Sequence, residues 1–313
     1  MGGDPRVVLI AGTGQNGATI LCRMLGALPG VVAVGELGHL WDKGLLDGRP
    51  CGCGRPFAEC PFWRAVGEEA FGGWANVDGR AVTRLRGTLL LRRSPLPHPF
   101  ALPLILRPGL APPAYRRALA SYGDLLARLY RGIAAVAGAR VVVDSMKVPA
   151  HVYAVALRPD LDAAVLHLVR DPRGVASSNL KPVQRQGAGM RVRRPPLKAA
   201  ARWLWINEAF HVLSRRVPTT VTRYETLVSE PERELRRIEA ALGLPAETAF
   251  LADGVVRLPD DHLVAGNRVR FERGELLLRP DDAWKTALSP AQRRSVTALA
   301  APLLRRYGYS AGG

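Results

Sequence analysis

Apolar and polar positions along the chain fall into short β-type runs separated by helix-length amphipathic stretches. Val7 to Ala11, Val31 to Val34, Val141 to Val143, Ala163 to Val169 and Val217 to Arg223 are five such runs. Short apolar runs bounded by turn residues suit strands buried on both faces. Between them, Ile20 to Leu28 reads as a helix ended by Pro29-Gly30, and Tyr115 to Val136 carries Leu119, Tyr122, Leu126, Leu129 and Ile133 on one face. Leu197 to Arg215 is a further helix, with Trp203, Trp205, Ile206 and Phe210 directed to the core, and Phe62, Trp63, Phe71 and Trp74 form another core-facing set. Ser229-x-x-Glu232 predicts a capped helix running to Leu242 with Gly243 as its C-cap, and Ser289-Pro290-Ala291-Gln292 starts a terminal helix ending near Arg306. No repeat or interdomain linker interrupts the alternation. The prediction is an α/β fold: a single three-layer domain over residues 1–313 with a central parallel β-sheet.

Two stretches break the pattern. Leu89 to Pro113 contains seven prolines, which predicts a long irregular excursion without a helix. Its Phe100, Leu102, Leu104, Ile105 and Leu106 would suit a greasy acceptor or a membrane surface. The second stretch, 181–196, holds Arg185, Arg191, Arg193 and Arg194 with glycines at 187 and 189, and predicts a mobile basic loop over a site.

The first strand feeds Gly12-Thr13-Gly14-Gln15-Asn16-Gly17-Ala18-Thr19, a glycine-rich turn that opens into a helix. Such a turn points successive N–H groups and a helix N-terminus at an anion, so it is a P-loop-like phosphate cradle. Two readings compete. Glycines 12, 14 and 17 satisfy G-x-G-x-x-G, with Glu36 19 residues beyond, as a dinucleotide site would have. The same residues satisfy G-x-x-x-x-G-K-[ST], except that Ala18 stands where the lysine belongs. A nucleoside triphosphatase needs that lysine and a metal-binding acid.

The chain is 48% hydrophobic, enough for a full core, and carries a net charge of +17. That charge favours polyanions: nucleic acid, a membrane surface or a highly phosphorylated small ligand. An arginine-rich surface with no partner is the bland alternative. The first strand begins by Arg6, which leaves no room for an export segment, and no apolar run is long enough to span a bilayer. With four cysteines in the chain, a cytoplasmic location is expected. Cys51, Cys53 and Cys60 lie close together, but C-x-C…C lacks paired C-x-x-C spacing, and a fourth ligand would have to come from His39 or Cys22. A loop disulfide or packing cysteines is therefore preferred, and no metal is assigned.

Strand ends of an open α/β sheet face the ligand crevice, which nominates Glu36 after the second strand and Lys147 after the third. A ribose contact, a solvated acid and a surface lysine are the plain alternatives. Arg170 ends the fourth strand at Asp171-Pro172, a helix start that places Ser178 about two turns on, so both can reach one anion. Tyr224-Glu225 ends the fifth strand, and Gly266-Asn267-x-x-Arg270 lies in a late basic loop.

In this order the cradle, the Arg170–Ser178 pair, Arg223-Tyr224-Glu225 and the Gly266-to-Arg270 loop resemble the sulfotransferases that use 3′-phosphoadenosine-5′-phosphosulfate (PAPS). Gly35-Glu36 and Asp144-Ser145-x-Lys147 are similar to steps in bacterial and tyrosylprotein-type members. The resemblance implies PAPS as co-substrate, no required metal, and transfer of a sulfuryl group to a hydroxyl of a small-molecule or natural-product acceptor. It assigns Gly14, Gln15, Asn16, Gly17, Ala18 and Thr19 to the 5′-phosphosulfate, and Arg170 and Ser178 to the 3′-phosphate. Tyr224 would lie near adenine, Asn267 and Arg270 would close over the 3′ end, Glu36 would be the base, and Lys147 falls where members place a histidine base or a charge-stabilising lysine. The partners expected are that acceptor, with peripheral contact if it is lipophilic, and neither nucleic acid nor a transmembrane segment. Family members carry Lys or Arg followed by Ser-Gly-Thr-Thr where this chain has Gln15-Asn16-Gly17-Ala18-Thr19. Either Lys147 or an arginine from 185–194 replaces that charge, or the enzyme is slow or takes a reactive acceptor, or the fold is kept for nucleotide binding alone. A Rossmann-type oxidoreductase is the remaining alternative.

Overall fold

The computed structural model describes residues 4–91, 100–185, 189–192, 194–245 and 248–310. Its strands are β1 (Arg6–Ala11), β2 (Val31–Gly35), β3 (Val141–Asp144), β4 (Ala163–Val169), β5 (Pro182–Arg185), β6 (Gly189–Val192), β7 (Thr219–Arg223), β8 (Leu251–Ala252), β9 (Val255–Leu258) and β10 (Gly274–Leu277). The five runs predicted from the apolar pattern are β1, β2, β3, β4 and β7, and they form one parallel sheet in the order β2-β3-β1-β4-β7. In a dinucleotide fold the second strand lies directly beside the first. Here β3 intervenes, so the sheet is not of that type.

The helices used below are α1 (Ala18–Gly26), α2 (Pro61–Phe71), α3 (Gly79–Leu89), α4 (Ala101–Leu106), α5 (Pro113–Ala137), α6 (Pro149–Ala156), α7 (Pro172–Leu180), α8 (Pro196–Leu213), α9 (Tyr224–Ser229), α10 (Pro231–Leu242), α11 (Trp284–Ala287) and α12 (Pro290–Arg306). Side chains of β1 divide between two cores. Val7, Leu9 and Ala11 pack with residues of α2, α5, α6 and α8, whereas Val8 and Ile10 pack with α1 and α10. This makes three layers and explains the unbroken apolar runs, because each strand buries both faces. On α5, Tyr122, Leu126, Leu129, Tyr130 and Ile133 are all buried, and each such side chain contributes about 2 kcal/mol through burial.

Several local expectations are corrected. The Pro-rich excursion contains α4, with Pro103 in its first turn, where backbone N–H groups have no intrahelical partner to lose. Leu102 and Ile105 are buried in the core and Leu104 and Leu106 pack against it, so most of this apolar content is spent internally; Phe100 and Leu110 are exposed. Pro95, Pro97 and Pro99 lie outside the described residues. The 181–196 stretch is an antiparallel ribbon, with Pro182 opposite Val192 and Arg185 opposite Gly189; residues 186–188 and Arg193 lie outside the description. Ser229 ends α9 instead of capping α10, whose start is fixed by Pro231 after Glu230. Gly243 does close α10 in a left-handed conformation, and Ser289 with Gln292 does form the capping box of α12. The three-stranded antiparallel sheet β10-β9-β8 was not anticipated; its Leu251, Val256 and Leu258 join the α1 side of the core. Among the described residues no helix is long and apolar enough to cross a membrane.

Candidate functional site

The carboxyl ends of β1, β2, β3, β4 and β7 share one edge of the sheet, and β1 is the switch point between neighbours on either side. The turn after β1 is held by Asn16, a wholly buried side chain whose Nδ2 donates to Leu168 O at 2.8 Å and whose Oδ1 accepts from Ala18 N at 3.2 Å. Asn16 thus shapes the cradle from behind. Gln15 adopts φ +69°, and Gly17, the N-cap of α1, φ +90°. A Cβ on Gly17 would lie 2.6 Å from the Tyr224 ring. Gly17→Ala should therefore cost about 1–3 kcal/mol, seen as a Tm lowered by several degrees in thermal denaturation. An unchanged Tm would mean that Tyr224 does not lie against the cradle.

Glu36 and Lys147 meet across the ends of β2 and β3. Lys147 Nζ is 2.7 Å from Glu36 Oε1 and also donates to Ser145 O at 2.9 Å. Behind them the fully buried Asp144 carboxylate accepts from Leu37 N at 3.2 Å, Met146 N at 2.8 Å and Tyr130 OH at 2.8 Å, and meets His151 Nε2 at 3.3 Å. Asp144 so clamps together the two turns that carry Glu36 and Lys147. Burial alone would raise the Glu36 carboxyl, but the charge and hydrogen bond of Lys147 outweigh it and hold the group down at about 2. His39, considered from sequence only as a metal ligand, has Nε2 3.8 Å from Glu36 Oε2 and Nδ1 3.2 Å from Asp42 Oδ1.

On the other side of β1, Arg170 sits at the end of β4 where Asp171 caps α7. Its Nη1 donates to Gln15 O at 2.8 Å and to Ser178 Oγ at 3.3 Å, and its guanidinium lies 4.6 Å from the Tyr224 ring centroid. Trp203 Nε1 fixes the Arg170 carbonyl at 2.8 Å. Arg170 and Ser178, proposed for one anion, are thus brought together beside the cradle, with the Tyr224 ring against the same guanidinium. Sequence reasoning missed Asp281, whose carboxylate receives Arg170 Nη2 at 2.7 Å. Burial pushes the Asp281 carboxyl up, and the Arg170 hydrogen bond and charge more than reverse this, leaving it below the ordinary range. Arg170 is thus already paired with a protein carboxylate beside the cradle. No sequence signal marked it, because Asp281-Asp282 reads as an ordinary helix start 111 residues away.

Gly14 to Ile20, Glu36, Lys147 and Gly266 to Val269 line one cavity of about 440 Å³. Thr19 Oγ1 accepts from Asn267 N at 3.1 Å, tying the late loop to α1. Arg268 lines the cavity. Arg270 does not; its guanidinium donates to Gly266 O and Pro50 O at 3.3 and 3.4 Å. Among the described residues, Lys147 and Arg268 are the cations on this lining. The arrangement can hold an anion against the cradle, balance it with Lys147 and Arg268, and place a carboxylate beside it.

The loop disulfide expected for the cysteine cluster is not formed: all four cysteines are free. The fourth member is neither His39 nor Cys22, whose thiol lies 3.8 Å from Val143 O in the sheet core, but His262.

Residues 109–248 match the sulfotransferase family. A comparison with curated protein sequences returns no match. The sulfotransferase domain from the curacin biosynthetic pathway aligns over 98% of this chain and 98% of its own, at 16% identity and a TM-score of 0.52. The sulfotransferase domain of the Synechococcus PCC 7002 olefin synthase aligns over 98% of this chain and 96% of its own, at 20% identity and a TM-score of 0.51. At these identities the likeness is one of fold, and it extends over nearly the whole chain.

Proposed function

We propose that this chain is a sulfotransferase, moving a sulfuryl group from PAPS to a hydroxyl of a small-molecule natural product, a reading supported by the family match over residues 109–248 and by the shared fold. The observation that carries the reading is the paired Glu36 and Lys147 on the wall of the same cavity as the cradle. The donor would supply an activated sulfuryl group on a good leaving phosphate. The chain supplies position and charge, which is most of what a loose, in-line transfer requires. Residues 14–19 would hold the 5′ end, and Arg170, Ser178 and Tyr224 the 3′ half. Lys147 takes over the charge that Gln15 lacks. With an anion in the cradle, Lys147 divides its charge between that anion and Glu36, so the carboxylate regains basicity and can accept the acceptor's proton. A natural-product acceptor is supported by two relatives of like fold, one from a biosynthetic pathway and one from an olefin synthase.

A second reading, a nucleotide binder without transfer, is favoured by neutral Gln15 in the cradle. Thermal-shift measurements with adenosine 3′,5′-bisphosphate, NAD and ATP test the site. Stabilisation by the bisphosphate is expected, about 2.7 kcal/mol at a hundredfold excess over Kd, and stabilisation by NAD alone would sink both readings. Transfer of labelled sulfate to a panel of hydroxylated acceptors then separates enzyme from binder.

A further inference from the structure

We propose that Cys51, Cys53, Cys60 and His262 form a structural zinc site that holds the wall of the cavity in place. The inference does not depend on the reaction proposed above. Cys60 Sγ lies 3.6 Å from Cys51 Sγ, 3.7 Å from Cys53 Sγ and 3.3 Å from His262 Nδ1, and Cys51 Sγ lies 3.6 Å from His262 Nδ1. All four ligand atoms fall within 4.8 Å of one another. These sulfurs are much farther apart than the ~2.05 Å of a disulfide. The centre of a regular tetrahedron lies about 0.61 of an edge from each corner, so the four edges of 3.3–3.7 Å correspond to a radius of about 2.0–2.3 Å, the range of Zn–N and Zn–S bonds, and the other two edges stay within 4.8 Å. Three thiolates with one imidazole are a soft donor set suited to zinc, and four protein ligands leave no open position for catalysis.

The surroundings are built around this convergence. The Phe62 ring stacks on His262 with centroids 4.7 Å apart and planes 9° from parallel, and Trp63 Nε1 donates to His262 O at 2.9 Å. Gly52 N donates to Leu263 O at 2.9 Å, and Gly54 N to Cys51 O at 2.8 Å, folding the loop so that Cys51 and Cys53 face one point. A divalent zinc with three thiolates and a neutral imidazole leaves a net charge of −1 at the site. Arg273 donates to Gly52 O and Arg270 to Pro50 O, placing two guanidiniums on the backbone either side of Cys51. This gives Arg270 a place in the structure that its absence from the cavity lining had left open.

The cluster joins two distant parts of the chain. From His262 the backbone runs directly along β2, where Val264 N donates to Val34 O at 3.0 Å and Glu36 N to Ala265 O at 3.1 Å, and then into Gly266-Asn267 on the cavity wall. Zinc at this point would fix the 51–60 loop, the turn carrying Glu36 and the loop facing the cradle as one unit.

Elemental analysis of the full chain purified without chelator should find one zinc per molecule. Chelator should lower Tm by about 5 °C or more, with recovery on adding zinc. Cobalt-substituted protein should show tetrahedral d–d bands and thiolate-to-cobalt charge transfer. His262→Ala should lose the metal, whereas His262→Cys, which restores a ligand, should keep it; this contrast separates ligation from a folding defect. Protein that takes up neither zinc nor cobalt when supplied with each, or that carries an iron chromophore instead, would overturn the assignment. So would equal metal content in the His262→Ala and His262→Cys chains.

Discussion

Replacing Arg170 with alanine should weaken binding of adenosine 3′,5′-bisphosphate about a hundredfold, a loss of about 2.7 kcal/mol, as read by isothermal calorimetry. The reason is the convergence of Ser178 Oγ, Gln15 O and the Tyr224 ring on one nearly buried guanidinium. Asp281 supplies the control. Its carboxylate is paired with Arg170 at 2.7 Å, so an incoming phosphate must compete with it. Asp281→Asn removes the competing charge while keeping the shape, and should tighten binding severalfold. The two substitutions therefore move affinity in opposite directions, which a general folding defect would not do. Equal Kd values for the Arg170→Ala and unaltered chains would show that the 3′ half lies elsewhere.

Glu36→Gln should leave bisphosphate affinity intact and lower sulfuryl transfer by about 10²–10⁴-fold, the usual worth of a positioned general base. Normal turnover would remove Glu36 from that role. Lys147→Ala separates the partners by pH. Glu36 is held at about 2, below its ordinary 4.5, because Lys147 outweighs burial. A carboxyl depressed in the folded state contributes stability above the ordinary pKa and loses it as pH falls from about 4.5 through about 2. Without Lys147, only the weaker charges of His39 and Lys43 oppose burial, so the carboxyl rises from about 2 and protonates at higher pH. The acidic limb of kcat/KM should then shift upward, together with a fall in turnover. A limb that stays in place would mean that the ion pair does not control the acid.

The sheet was legible because each central strand buries both faces, which writes an unbroken apolar run. That Arg170 and Ser178 lie together could be read for a related reason: a strand end and a helix start fix their spacing locally. What was hidden depends on pairing across long separations. Asp281 reaches Arg170 from 111 residues away, and His262 meets Cys60 across 202, through loops that carry no periodicity. Helix α4 is hidden in the sequence by the density of prolines around it, although Pro103 falls in the first turn, the one turn of a helix that tolerates it. The division of labour between Arg268 and Arg270 depends on side-chain direction in a short helical turn, which spacing alone does not encode.

The strand order has a wider consequence. Glu36 and Lys147 hang from β2 and β3 on one side of β1, whereas Arg170 and Tyr224 hang from β4 and β7 on the other. On the proposed roles, the part that chooses an acceptor and the part that recognises the nucleotide are rooted in different strands. Insertions after β2 and before β3 can then redraw acceptor preference while the nucleotide half is inherited unchanged. On that proposal the fold is a chassis, with a fixed socket for the donor and an exchangeable one for the acceptor.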